Sequence, residues 1–238
     1  MFQYAMLRGV AAKGKFDVAI PINSRVMLWK FPLIAAQLNP EYMPQHVFRE
    51  RDFSFTSSVF DQPDDTTFKG YFQSEKYFKH IELELRKTFA FSKAEIGEVN
   101  ALNCVRNGRP LISLHVRRRD YCNNPAHADL YGNYYPNAMS LFPDAMFIVF
   151  SDDLEWCRQK FKGDRVKFFH GSSMYVDMAG MAYCDHHIIS NSTFSWWGAW
   201  LNPSSCKRVV RPSVWWGPKT AHLKDHDICP ASWEAAPI

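Results

Sequence analysis

Three consecutive arginines follow an apolar stretch near the middle of the chain. Residues 111–116 predict a buried strand, and Arg117, Arg118 and Arg119 come directly after it. Arginine binds phosphate in a bidentate manner, because its planar guanidinium matches the spacing of the oxygens. Side chains alternate along a strand, so we expect His115 and Arg117 on one face. The pattern predicts an anion site, and the alternative is a basic strand end that makes surface ion pairs.

A polar turn forms a second candidate. Asn191, Ser192 and Thr193 lie between a predicted strand at residues 188–189 and a predicted helix at residues 195–201. The first backbone N–H groups of a helix have no partner inside the helix and bind anions. This turn predicts a further contact with phosphate, and the alternative is ordinary N-capping by Ser and Thr.

Two aspartates, Asp152 and Asp153, follow a predicted strand at residues 146–150. Paired carboxylates suit a metal ion on a diphosphate, but acids are equally suited to the first turn of a helix. Because the arginines already neutralise phosphate, no metal is required. We expect helix capping together with a hydrogen bond to ribose or base.

Asp177 and a pair of histidines are further candidates. Asp177 lies in a predicted helix at residues 174–183, where it suits either a guanine edge or plain solvation. His222 and His226 are four residues apart with Asp225 between them, a spacing that suits a metal ion on a helix. The neighbouring prolines favour a loop instead, so we expect no metal there.

The second half of the chain alternates between predicted strands and helices. Such alternation predicts a parallel α/β sheet, in which ligands bind beyond the carboxyl ends of the strands. The arginines, the aspartate pair and the polar turn all lie at such ends. The strands are predicted at residues 111–116, 146–150, 166–169, 188–189 and 208–210.

The first half is less regular. Helical spacing of apolar residues predicts a helix over residues 2–14, and a short strand follows at residues 17–20. The prolines of residues 21–65 favour loops and short helices, and residues 66–72 predict another strand.

Two helices are predicted before the chain centre. Ser74 caps the first, and Ser92 with Glu95 forms a capping box that opens the second. A turn at residues 107–110 ends this region. We place the domain boundary there, which gives domains of residues 1–108 and 109–238.

Composition narrows the class of protein. With 238 residues, 47% of them hydrophobic, the chain can bury a sizeable core, and its net charge of +4 is too small to indicate nucleic acid. The six cysteines form no CxxC pair, which favours a reducing compartment over a zinc site or disulfide framework. Neither a membrane span nor a signal peptide is indicated. We expect a cytoplasmic protein and leave open a peripheral association with the inner face of a membrane.

Several stretches together resemble the alpha-1,2-fucosyltransferases of glycosyltransferase family 11. The resemblance extends over nearly the whole chain, and the combination of stretches is specific. It is carried by residues 1–5 (MFQYA), 70–74 (GYFQS), 115–121 (HVRRRDY), 150–153 (FSDD) and 188–198 (IISNSTFSWWG).

The resemblance implies a GT-B-like fold with two Rossmann-like domains that contain parallel sheets. Residues 1–108 would form an incomplete acceptor-side domain, and residues 109–238 would bind the nucleotide sugar. The implied donor is GDP-fucose and the acceptor is a galactose-containing glycan. Transfer would invert the anomeric carbon without a metal or other cofactor.

The same resemblance assigns roles to individual residues. Arg117 would hold the β-phosphate and stabilise the leaving GDP, while His115 and Asp177 would seat the nucleotide. Asp120 is the first candidate for the general base and His115 the second. The expected substrate-binding residues are Arg118, Asp152, Asp153, Asp177, Asn191, Ser192 and Thr193.

Two features depart from the family pattern. Residues 1–5 correspond to the end of the family's N-terminal motif, so the preceding strand and glycine turn are absent from this chain. The expected consequence is a truncated protein with weaker donor binding, and a glycan- or nucleotide-binding relative without catalysis is the alternative function. Arg119 occupies a position that is often glycine in the family. A metal-dependent transferase that uses Asp152 and Asp153 is a further alternative.

Overall fold

The computed structural model describes residues 1–20 and 43–238. The described chain divides into two compact units, residues 1–90 with 223–230 and residues 91–222 with 231–238. The domain boundary predicted at residues 107–110 falls within the second unit and stays a prediction.

The first unit combines a helix, a two-stranded sheet and packed aromatic rings. Helix α1 spans Phe2–Gly14, as predicted, and Lys15 ends it in the left-handed conformation. Strands β1 (His46–Arg49) and β2 (Thr66–Lys69) pair in parallel, and helix α2 spans Glu82–Thr88. The rings of Phe2, Tyr4, Phe72, Tyr77, Phe78 and Phe89 are buried between these elements.

Four predictions for this unit require correction, the last of which concerns the strand predicted over residues 66–72. Residues 17–19 have no regular structure, although their apolar character predicted a strand. Strand β1 lies in a segment predicted as irregular, because its side chains are largely exposed and show no clear alternation. The helix predicted after Ser74 begins as short 3-10 turns and becomes α-helical only at Glu82.

The strand predicted over residues 66–72 ends at Lys69 for a visible reason. The carboxylate of Glu50 accepts hydrogen bonds from the backbone N–H groups of Tyr71 and Phe72, at 2.6 and 3.0 Å. These bonds turn the chain away from the ladder with β1, so pairing stops before the predicted end.

The second unit contains a six-stranded sheet flanked by helices. The capping box predicted at Ser92 and Glu95 is confirmed, because both of its hydrogen bonds form at the start of α3. The strands are β3 (Leu111–Val116), β4 (Met146–Ser151), β5 (Val166–Phe168), β6 (His186–Ile188), β7 (Val209–Pro212) and β8 (Glu234–Ala236). The helices are α3 (Lys93–Val99), α4 (Asn103–Arg106), α5 (Tyr134–Ser140), α6 (Leu154–Lys160), α7 (Met174–Tyr183) and α8 (Thr193–Leu201).

The order of the strands locates the ligand edge of this sheet. The order is β5-β4-β3-β6-β7-β8, and all neighbouring pairs are parallel. The chain therefore builds outward from β3 in one direction and then returns to place β6 on its other side, as in a Rossmann fold. The predicted α/β class with parallel sheets is confirmed. Ligands in such sheets bind where the order reverses, which is the gap between β3 and β6.

Sequence patterns missed or shifted several elements of this unit. Helix α5 and strand β8 had no predicted counterpart, and α8 begins at Thr193, two residues before the predicted start. Strand β6 covers His186–Ile188, whereas residues 188–189 were predicted. Two histidines conceal its first positions, because an apolar pattern does not reveal a buried polar side chain such as His187.

All six cysteines are free thiols. Within residues 1–20 and 43–238, none of the helices combines the length and the hydropathy needed to cross a bilayer.

Candidate functional site

The turn after β3 gathers positive and negative side chains at the point where the strand order reverses. Arg117 follows the last residue of β3, and its guanidinium lies 2.8 Å from a carboxylate oxygen of Asp120 and 3.3 Å from one of Asp152. The Arg117 side chain is 34% exposed, so solvent or a ligand still reaches it. The guanidinium of Arg117 is therefore held by two carboxylates and is still partly exposed to solvent.

Asp152 holds the backbone of the arginine turn, which is the segment 117–119 directly after β3. Its carboxylate accepts hydrogen bonds from the backbone N–H groups of Arg118 (2.9 Å) and Arg119 (3.3 Å), in addition to its ion pair with Arg117. Asp152 follows β4 and Arg117 follows β3, and these strands are paired in register from Leu111 to Val116. The adjacent strand ends therefore place the carboxylate beneath the turn.

Arg118 has a different environment from Arg117. Its Nε donates to Asp153 at 3.1 Å, and its guanidinium lies 4.0 Å from the ring centroid of Trp156 and 4.8 Å from that of Tyr131. An arginine between aromatic faces gains cation–π stabilisation. Arg118 therefore joins the turn to the start of α6.

Asp153 also caps α6, because its carboxylate accepts the backbone N–H of Trp156 at 3.2 Å. This hydrogen bond, together with Arg118, lowers the pKa of Asp153 below its ordinary value. The capping expected from the sequence is present. The roles of Arg118, Asp152 and Asp153 toward a substrate stay predictions.

His115 is buried one residue before the end of β3. Its Nδ1 lies 2.8 Å from the hydroxyl of Ser190, and its ring is near that of Phe194. Burial, with a smaller effect from the charge of Arg117, lowers the pKa of His115 to about 3. The imidazole is therefore neutral near pH 7 and joins β3 to the turn after β6.

The polar turn predicted at residues 191–193 lies directly across the gap from the arginine turn. Ser192 is the N-cap of α8 and accepts the backbone N–H of Phe194, while Thr193 is half-buried in the first helical turn. The amide of Asn191 donates to the carbonyls of Ala128 and Trp215, so its nitrogen is occupied within the protein. Contacts of these three residues with phosphate stay predictions.

Tyrosine hydroxyls fix both turns, and the sequence reasoning overlooked them. Each donates to a backbone carbonyl at the carboxyl edge of the sheet: Tyr131 to Arg117 (2.6 Å), Tyr135 to His115 (3.2 Å), Tyr121 to Asn191 (3.3 Å) and Tyr134 to Ile189. The cluster of tyrosines at residues 131–135 was the available signal. Its partners are far away in sequence and emerge only from the fold.

His127 is a second residue that the sequence reasoning overlooked. Its imidazole stacks on the ring of Tyr121 with a centroid distance of 3.6 Å and an interplanar angle of 6°. Burial is the main cause that lowers the pKa of His127, the charge of Asp120 opposes this shift, and the charge of Arg117 adds to it. An imidazole thus lies next to the arginine turn.

Asp177 lies on a different element from this cluster. It is in the first part of α7, which follows β5, and β4 separates β5 from β3 in the sheet. Its carboxylate accepts the backbone N–H of Gly171 at 2.8 Å, and burial raises its pKa. The structure therefore gives Asp177 a role in holding the loop before α7, and contact with a guanine edge stays a prediction.

The described part of the chain contains no group of three or more His, Cys, Asp or Glu side chains arranged to hold a metal ion. The carboxylates of Asp152 and Asp153 face guanidinium and backbone N–H groups instead. His226 pairs with Asp227 at 3.2 Å. Asp152 and Asp153 are therefore already neutralised by arginine side chains of the protein.

The arrangement suits the stabilisation of negative charge that appears during a reaction. A guanidinium held by Asp152 needs little rearrangement to receive an anion, and preorganised charge of this kind lowers a transition-state barrier. The start of α8 adds backbone N–H groups and the positive end of a helix dipole.

Comparison with known proteins gives a consistent assignment. Residues 22–234 match the sequence profile described as Glycosyl transferase family 11. The chain is 34% identical over 185 residues to an alpha-1,2-colitosyltransferase of Escherichia coli, covering 70% of this chain and 61% of that protein. It is 28% identical over 225 residues to galactoside alpha-(1,2)-fucosyltransferase 1 of Alouatta caraya, covering 84% of this chain and 62% of that protein.

A solved structure of POFUT1 in complex with GDP-fucose also aligns, with a TM-score of 0.44 and 12% identity, over 63% of this chain and 55% of that one. The matches to the two transferases span about three fifths of their lengths. The family profile covers most of the present chain, from residue 22 to residue 234. The chain therefore belongs to glycosyl transferase family 11.

Proposed function

We propose that this protein is a galactoside alpha-1,2-fucosyltransferase that moves L-fucose from GDP-fucose to a galactose-containing glycan. One observation carries the proposal: Arg117 is held by Asp152 at the reversal point of a Rossmann-type sheet, opposite the start of α8. Membership of the family and similarity to transferases named for alpha-1,2 linkages support the choice of reaction.

The reaction is a displacement at the anomeric carbon. The acceptor hydroxyl attacks this carbon from the face opposite the diphosphate, so the configuration inverts. The bond to the β-phosphate breaks and GDP leaves with the electron pair, which adds negative charge to the phosphate. Arg117 stabilises that charge, and the entering phosphate replaces Asp120 as its partner. Arg119, Ser192 and Thr193 supply further contacts.

The similarity to an alpha-1,2-colitosyltransferase makes GDP-colitose a second candidate donor. Colitose is a 3-deoxy analogue of fucose, so the two nucleotide sugars differ by one hydroxyl. Their discrimination depends on a hydrogen bond to that hydroxyl. A donor series of GDP-fucose, GDP-colitose, GDP-mannose and a UDP-sugar, with lactose as acceptor, identifies the preferred substrate.

Arg117→Ala tests the role of the guanidinium. Loss of one preorganised charge donor lowers kcat by about 100-fold or more, so we expect product formation from GDP-fucose to fall by at least that factor. Arg117→Lys keeps the charge but loses the bidentate geometry, and we expect an intermediate rate. Arg109→Ala removes an exposed arginine at the opposite end of β3 and is the matched control.

The outcomes separate the alternatives. Wild-type turnover in Arg117→Ala would refute the assignment. Binding of GDP in calorimetry without any product indicates the non-catalytic relative considered from the sequence. Activity that disappears with a chelator indicates the metal-dependent transferase. A cytoplasmic location and a peripheral membrane association stay predictions, which fractionation of cells tests.

A further inference from the structure

The imidazole of His127 is fixed by its ring face and its backbone, while its nitrogens are left available. Its ring lies 3.6 Å from the ring of Tyr121 in a parallel stack. The backbone N–H of His127 donates to Asn124 at 3.1 Å, and the residue forms a β-bridge with Trp216. Within the described chain, neither ring nitrogen has a hydrogen-bond partner. A stacked ring with open nitrogens is suited to exchange a proton with a bound molecule.

A glycine keeps this backbone in place. A Cβ at Gly217 would lie 2.4 Å from the carbonyl oxygens of both Pro125 and His127, so only glycine allows the two segments to approach this closely. The backbone N–H of Gly217 also donates to Ala126 at 3.0 Å. The loop that carries His127 is therefore held by packing as well as by hydrogen bonds.

The stack connects His127 to the site that receives the nucleotide sugar. Tyr121 donates its hydroxyl to the carbonyl of Asn191, and the guanidinium of Arg117 lies 5.7 Å from the centroid of its ring. His127 is thus one aromatic ring away from both the arginine turn and the polar turn. The attacking hydroxyl must approach within this neighbourhood, because it displaces the phosphate that Arg117 binds.

We propose that His127 is the general base of the transfer reaction, a role that rests on the proposed function. A ring nitrogen of His127 accepts the proton of the acceptor hydroxyl while the oxygen of that hydroxyl bonds to the anomeric carbon. The bond from this carbon to the β-phosphate oxygen breaks, and its electron pair leaves with GDP. The imidazolium then releases the proton to water.

The two bases considered from the sequence are less suited to this step. His115 is 3% exposed and its Nδ1 is engaged by Ser190, so a substrate cannot reach that nitrogen. Asp120 is 61% exposed and is held only by its ion pair with Arg117 at 2.8 Å, so nothing fixes its carboxylate toward the acceptor once a phosphate takes its place. His127 is half-buried and faces Asp120 and Arg117, two charges of opposite sign. Its burial keeps the imidazole unprotonated at neutral pH, which is the state that a base requires.

The variant His127→Phe tests the proposal, because phenylalanine keeps the stack on Tyr121 and cannot accept a proton. General base catalysis contributes about 100-fold to 10,000-fold, so we expect kcat to fall by at least about 100-fold. The affinity for GDP, measured by calorimetry, stays within about twofold of wild type, since the arginine turn is intact. His127→Gln gives the same loss of kcat and covers the case in which the phenylalanine variant folds poorly.

The pH profile distinguishes a base from a structural residue. In the wild type, kcat falls about tenfold per pH unit below the pKa of the His127 imidazole, which lies below its ordinary value. This acidic limb disappears in His127→Phe. Added imidazole restores part of the rate in His127→Ala but not in His127→Phe, because only alanine leaves room for it. His222→Phe, a change of an exposed histidine, is the matched control.

Two results would overturn the inference. In the first, the wild type turns over and His127→Phe has the same kcat and the same acidic limb. This result refutes the role of His127 and leaves the proposed function intact. Absence of turnover by the wild type with every nucleotide sugar refutes the proposed function and the inference together. The wild-type donor series is therefore measured first.

Discussion

The stability of the second unit should depend on pH through two buried histidines, each of which forms a hydrogen bond with a serine hydroxyl. Ser113 and His187 lie opposite each other on β3 and β6, with the hydroxyl 2.8 Å from Nδ1. Nε2 of His187 faces the side-chain amide of Asn202 at 2.9 Å. The second pair is His115 with Ser190.

The hydrogen bonds of Asn202 fix the neutral form of His187. The amide nitrogen donates to the carbonyl of Cys184 at 2.7 Å, and the amide oxygen accepts the N–H of Ser204 at 2.8 Å. Nε2 of His187 must therefore accept a hydrogen bond, so the proton resides on Nδ1 and points to Ser113. Protonation of Nε2 would place two donors against each other in a site without water access.

The magnitude follows from the pKa values. Burial, with a smaller contribution from Lys207, lowers the pKa of His187 to about 3, and burial lowers that of His115 to about 3 as well. The unfolded chain binds these protons near pH 6.5 and the folded chain does not, so stability falls as the pH drops from about 6.5 toward about 3. Between pH 7.5 and 5.0 each histidine lowers the free energy of unfolding by about 2 kcal/mol. This is a large part of the roughly 5–15 kcal/mol that is typical of native proteins.

Urea unfolding at pH 7.5, 6.5, 5.5 and 5.0 measures this effect. His187→Gln should be less stable than wild type at pH 7.5, because its new side chain fits the hydrogen bonds less well. Its loss of stability down to pH 5.0 should, however, be smaller by about 2 kcal/mol. The exposed His222 provides the control, since His222→Gln should keep the wild-type dependence on pH. Identical slopes for wild type and His187→Gln would refute the assignment of a neutral, buried imidazole.

Two further predictions concern the arginine turn and the packing of α1. Asp152→Ala removes the acceptor of two backbone N–H groups and a partner of Arg117, so calorimetry should show GDP affinity reduced about tenfold, as expected for loss of about 1.4 kcal/mol. The exposed Asp144→Ala should leave it unchanged, and an unchanged affinity in both would contradict the positioning role of Asp152. Gly9→Ala would place a methyl 2.1 Å from a backbone carbonyl oxygen and should destabilise the protein by about 1–3 kcal/mol. Gly97→Ala, with open space around it in α3, should instead stabilise by about 0.5–1 kcal/mol, and thermal unfolding that ranks these two variants in the opposite order would contradict the packing of α1.

The sequence predicted the central strands of the second unit because parallel strands buried on both faces form continuous apolar runs. Strand β4 has this character from Met146 to Phe150, and β3 has apolar residues at four of its six buried positions. It predicted β6 poorly, since His187 is buried through hydrogen bonds to Ser113 and Asn202. Those partners lie on other elements, so no local pattern shows that the histidine belongs inside.

The candidate site, too, was predicted from the sequence only in part. Arg117 and the polar turn were accessible from sequence because charged and hydroxyl residues directly after apolar strands occupy the ligand edge of a parallel sheet. His127 could not be predicted from the sequence, because it follows no strand and its relation to the site depends on one stacking contact with Tyr121. The family resemblance supplied a reaction but left the base open, and the fold supplied the candidate.

The balance of charge around the arginine turn explains how the site can be both stable and reactive. Arg118 and Asp153 neutralise each other within an aromatic environment, and Asp152 satisfies backbone N–H groups, so these three residues fix the geometry. Asp120 is 61% exposed and is the partner of Arg117 that a phosphate can replace. Folding has therefore already oriented the guanidinium of Arg117. Under the proposed function, an incoming diphosphate has only to displace one exposed carboxylate, which is the condition under which electrostatic stabilisation contributes most to the rate.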